Sequence, residues 1–116
     1  MATEIRHGHS RLNQATEILG SILAETRSPA DHLIDQYFRA HRQMGSKDRA
    51  FAAETVYGCL RRKAELEALA APVLPANLSD ERRIQWLVGT YLLKHSGWSA
   101  RALAEAGFPG DADALV

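Results

Sequence analysis

The chain has 116 residues, 46% of them apolar and 24% charged, and its formal net charge is zero. That length fits one domain with a single hydrophobic core and leaves little room for two. No run approaches the roughly 18 apolar residues of a membrane span, Met1 to Ser10 lacks the apolar stretch of a signal peptide, and the lone cysteine, Cys59, excludes an internal disulfide and a multi-cysteine zinc site. Together these features point to the cytoplasm.

The first periodic segment runs from about Ser10 to Thr26. Leu12, Ala15, Leu19 and Ile22 recur at three- and four-residue steps, with Ile18 and Leu23 beside them, which is the apolar stripe of an amphipathic helix. Arg27-Ser28-Pro29 breaks it. Ser28 reads as the N-cap of a second helix, with Pro29 in its first position. Ala30, Leu33, Ile34, Tyr37 and Phe38 form that helix's apolar face, and it should end near Ala40 to Arg42. Met44-Gly45 reads as a loop.

Ser46 reads as the cap of a third helix, with Asp48 favoured in its first turn by the helix dipole. Ala50, Ala53, Tyr57, Leu60 and Ala64 align, and Phe51, Val56 and Cys59 widen the face. Gly58 sits in the middle, where glycine costs about 1 kcal/mol relative to alanine. Close approach of another helix is the usual compensation. Leu66 and Leu69 either extend this helix or start another. Ala71-Pro72 to Leu78 is a loop. Ser79 caps a further helix with the stripe Ile84, Leu87, Val88, Tyr91 and Leu92, closed by Gly97. Ser99 caps a short last helix around Leu103, stopped by Gly107 and Pro109. No segment shows sustained strand alternation, so the fold class is all-α: one bundle of about five helices over residues 1–108. Residues 109–116 have no periodicity and read as the start of a linker or a disordered tail.

The search for catalytic chemistry is negative. There is no glycine-rich phosphate loop and no dinucleotide fingerprint. His7 and His9 lack further metal ligands nearby and read as part of an exposed polar arm; His32, His41 and His95 are isolated and read as surface residues. Cys59 lies on an apolar face with no histidine close in sequence, the setting of an inert thiol. Trp86 and Trp98 suit a core, or stacking on a base. No catalytic, cofactor or metal site is expected in this chain.

Charge is distributed unevenly. Arg39 to Lys63 carries seven Lys/Arg against two Asp/Glu, whereas Met1 to Phe38 carries three against five. This basic island is either an anion-binding face or a solvated helix surface. Arg39 and Arg42 lie at the end of the second helix, Lys47 at the start of the third, and Arg61, Arg62 and Lys63 about four turns further on. These six are the candidate RNA-binding residues. Arg49, next to Asp48 in the first turn, need not be exposed and is expected to pair internally and fix the loop.

The segment Gly45-Ser-Lys-Asp-Arg-Ala-Phe-Ala-Ala-Glu-Thr-Val-Tyr-Gly-Cys-Leu-Arg-Arg62 resembles an Asp-Arg-x-Phe … Val-Tyr-Gly-Val-Leu-Arg signature. That signature belongs to the N-terminal domain of the Sun (Fmu) family of ribosomal RNA cytosine-5 methyltransferases. The domain has the all-helical fold of the antitermination factor NusB. The helical patterning from Leu12 to Phe108 is similar to the rest of it. The resemblance implies a non-catalytic module that recruits structured ribosomal RNA and packs on a downstream methyltransferase domain. In the family that domain binds S-adenosylmethionine and uses two cysteines. Cys59 stands where the family usually has valine, so no catalytic role transfers to it. The resemblance leaves two forms open: a fragment of such an enzyme, which the linker-like Gly110 to Val116 favours, or a free-standing antitermination or protein-interaction module with a protein partner of that type. The neutral net charge implies weak, salt-sensitive RNA affinity for the isolated module.

Overall fold

The computed structural model describes residues 8–25 and 27–116. Six α-helices form: α1 (Gly8–Ala24), α2 (Ala30–Ala40), α3 (Ser46–Arg61), α4 (Lys63–Ala70), α5 (Asp80–His95) and α6 (Ala100–Glu105). Short 3-10 turns follow α4 (Ala71–Val73) and α6 (Ala112–Leu115), and there is no strand among the described residues. None of these helices is long and apolar enough to cross a membrane.

Helix α5 is the centre of the bundle and packs against α1, α3, α4 and α6. The stripe expected from sequence is only part of what it buries. Trp86 to Leu92 are buried without interruption, the pattern of a helix enclosed on every side. Within it the fully buried Thr90 Oγ1 donates to the Trp86 carbonyl at 2.7 Å. Thr16 of α1 does the same toward Leu12 at 2.7 Å. In both cases the helix backbone satisfies a polar atom that would otherwise be costly in the core.

Gly58 of α3 lies against the Tyr91 ring of α5, and a Cβ placed there would overlap that ring. The expected close approach is therefore present, and the missing side chain is what lets the two helices meet. Arg62, with φ −114° and ψ 19°, breaks the third periodic run after Arg61. Helix α4 starts afresh at Lys63 and has Leu66 and Ala70 buried as it packs on α5.

Caps follow the expectation at two helices and depart by one residue at two others. Ser79 accepts from the Arg82 N–H and Ser99 from the Ala102 N–H. At α2, Pro29 holds the cap position with no side-chain bond, because its extended ψ of 150° delays the helix until Ala30. At α3, Gly45 precedes the helix in extended conformation and Ser46 is already helical.

The largest departure is at the C-terminal end. Gly107 (φ 95°) closes α6, with the Phe108 N–H donating to Leu103 O and the Gly107 N–H to Ala104 O, the paired bonds of a Schellman motif. The chain then turns back instead of leaving as a linker. Phe108 meets Trp86 edge-on, with ring centroids 4.9 Å apart. Gly110 rests on the Trp86 indole, and Ala112 and Leu115 are both 4% exposed. The physical reason is apolar area: three well-spaced side chains are enough to dock this short segment.

Candidate nucleic-acid interface

The six candidate cations divide into two groups at opposite ends of α3. Arg39, Arg42 and Lys47 flank the loop between α2 and α3, and all three are exposed. Arg39 pairs with Asp35 one turn earlier at 2.9 Å, in a bridge whose side chains are 78% and 55% exposed. Arg61, Arg62 and Lys63 form the corner where α3 gives way to α4. The fourteen residue-to-residue steps from Lys47 to Arg61 correspond to about 21 Å of helix axis. Helix α3 thus keeps the two groups a helix length apart.

The corner is not bare positive charge. Arg62 Nη1 donates to Glu65 Oε1 at 3.2 Å, and Lys63 Nζ to Glu67 Oε2 at 2.9 Å. Both acids lie on α4, one turn from their partners, where opposite charges meet on a helix surface. Arg61 forms no ion pair among the described residues. The second oxygen of Glu65, Oε2, is 3.0 Å from His95 Nε2 at the end of α5. The hydrogen bond from His95, then the one from Arg62, holds the Glu65 carboxyl below the usual carboxylate range. His95 also leans on the Tyr91 ring, at 5.6 Å between centroids.

Arg49 turns inward, but onto a ring and not onto an acid. Asp48 pairs across the bundle with Arg11 of α1 at 3.2 Å, while the Arg49 guanidinium lies over Phe38 at 5.6 Å from the ring centroid. Arg11 itself covers Phe51 at 5.2 Å. Two arginines therefore clamp α1, α2 and α3 together through ring faces. Arg49 Nε is buried with no partner among the described residues.

The remaining candidates fall into place by burial. Trp86 and Trp98 are 2% and 5% exposed, so neither presents a face for base stacking. Burial pushes the Cys59 thiol up to about 12, which keeps it protonated and unreactive. His7 lies outside the described residues; His9 and His32 are exposed. His41 stacks on Tyr37 at 3.8 Å, with Nδ1 2.8 Å from the Tyr37 carbonyl. The Tyr37 hydroxyl donates to Glu17, and burial together with that carboxylate raises its pKa. Among the described residues no group of three His, Cys, Asp or Glu is placed to hold a metal ion.

Sequence reasoning missed Glu65, Glu67 and His95 as parts of the corner. The acids were detectable, since they stand three and four residues after Arg62 and Lys63. His95 carried no signal, because thirty residues of chain separate it from Glu65. Beside the corner lies a groove of about 660 Å³ between α1, α4 and the start of α5. Leu23, Leu66, Ile84 and Leu87 line it, together with Lys63 and Glu67. Comparison of the chain with family models, with curated proteins and with solved structures finds no match.

Proposed function

We propose that this chain is a NusB-like, RNA-recruiting helical module that serves an S-adenosylmethionine-dependent ribosomal RNA cytosine-5 methyltransferase. The module holds structured ribosomal RNA by its phosphates and leaves the chemistry to a catalytic domain, where S-adenosylmethionine belongs. The observation that carries this reading is the placement of Arg39, Arg42 and Lys47 at one end of α3 and Arg61, Arg62 and Lys63 at the other, all at or near the surface. Lysine and arginine heads in such positions neutralise phosphates and release counterions, so affinity falls steeply with salt. The signature-like segment from Gly45 to Arg62 is the same helix that spaces the two groups, which supports the family reading.

The test is replacement of Arg61, Arg62 and Lys63 together by glutamate. Anisotropy titration with a labelled ribosomal RNA hairpin at low salt should show binding abolished, with helicity by circular dichroism unchanged. Wild-type affinity in the triple variant would remove the corner as the RNA surface.

A second reading, a free-standing antitermination or protein-interaction module, draws on the groove. Leu23 beside it is 36% exposed and Leu69 on α4 is 41% exposed. Apolar side chains left at a surface are the material of protein contacts.

A further inference from the structure

Arg62, Glu65 and His95 form a continuous chain of polar contacts. It starts at the α3–α4 corner, crosses α4 and ends on α5. The Glu65 carboxylate is shared: Oε1 accepts from Arg62 at 3.2 Å and Oε2 faces His95 Nε2 at 3.0 Å. All three side chains are solvent-accessible, with His95 the most covered at 25% exposure. Around His95 stand Glu65 from α4, Arg62 behind that carboxylate, the Tyr91 ring on the same helix and the adjacent Lys94. No ion pair from α1, α3 or α6 reaches it among the described residues.

A phosphate that takes the Arg62 guanidinium leaves Glu65 to His95 alone. A carboxylate relieved of its arginine favours the protonated imidazole more strongly. By reciprocity, a protonated His95 holds Glu65 more firmly and frees Arg62 for the anion. Protonation also adds one positive charge to a corner whose cations are offset by two acids. We infer that phosphate binding at the α3–α4 corner is proton-linked through His95, so that this corner grips RNA more tightly as pH falls. The inference rests on the RNA reading above and adds its regulation.

The experiment measures anisotropy of a fluorescein-labelled RNA hairpin against the full chain at low salt, from about pH 8 to about pH 5.5. Wild type, His95→Gln and Glu65→Gln are compared, with circular dichroism confirming the fold of each. Glutamine at 95 can still reach Glu65 but cannot carry the proton. The signal is the difference between profiles, in which whatever the three proteins share cancels. The wild type should gain about fivefold more affinity across the range than His95→Gln. Glu65→Gln should bind more tightly than wild type at the alkaline end. Parallel profiles for wild type and His95→Gln overturn the proton link while leaving RNA binding in place. Equal affinities of wild type and Glu65→Gln at the alkaline end overturn it as well. If no protein binds RNA at any pH, the RNA reading itself fails and the inference goes with it.

Discussion

Cys59 shows how a single side chain records its surroundings. It is 0% exposed, with Sγ 4.0 Å from the Leu87 carbonyl and no charged neighbour to favour a thiolate. Its pKa is raised from 9.0 to about 12 by burial, so between those values the folded chain keeps a proton that the unfolded chain has lost. Stability from this group is therefore complete below about pH 9 and declines as pH rises toward 12. Cys59→Val, which keeps an apolar side chain of similar size, should flatten that alkaline decline. Thermal melts of both proteins across the alkaline range check it, and identical slopes would show that Cys59 ionises freely in the fold. The burial of Cys59 was legible from its place on the face shared with Phe51 and Val56. The need for glycine at 58 was legible too, because a mid-helix glycine asks for a neighbour, and Tyr91 supplies one. The identity of that neighbour was not legible, since a contact between α3 and α5 leaves no local mark in either segment.

At the level of elements, the helices follow the 3.6-residue apolar period, and their ends depend on single polar groups. Ser79 and Ser99 each accept one of the N–H groups that a helix start leaves free. Replacing either by alanine should cost about 1 kcal/mol in chemical denaturation. Ser28→Ala should stay within about 0.5 kcal/mol, because Pro29 occupies the cap position of α2 and no side-chain bond is made there. A Ser28 effect as large as that of Ser79 would mean that α2 begins a residue earlier in solution. Serine before an apolar run gave the same sequence signal in all three places. The difference lies in the following residue, as proline at 29 is extended and postpones the helix. The break at Arg62 carried no such signal. The run through Ala64, Leu66 and Leu69 remains compatible with one long helix, and only the packing of Leu66 and Ala70 decides for two. The total enclosure of α5 was equally hidden, because Gly89 and Thr90 do not register as apolar positions yet are buried between neighbouring helices.

For the whole molecule, the principal extents of 35 × 34 × 21 Å describe a flattened slab with α5 at its centre. The C-terminal segment belongs to that slab. Leu115→Ala should cost about 2–5 kcal/mol, the range for a buried leucine, measured by urea unfolding; a loss near zero would return residues 109–116 to the linker role expected from their composition. Proline, two aspartates and a glycine dominate that stretch, so its two buried anchors, Ala112 and Leu115, were too few to show a period even with Phe108 just before it. The straight run of α3 has one more consequence. Because a single uninterrupted helix sets the distance between the loop cations and the corner cations, the protein carries a built-in gauge. In the RNA reading, a mononucleotide or short oligonucleotide spans one end of the gauge and gains only a local contact. A rigid folded strand whose phosphates match the separation engages both ends at once, and the second contact forms at the high effective concentration created by the first. Discrimination then comes from the shape of the ligand, even though neither end reads a base.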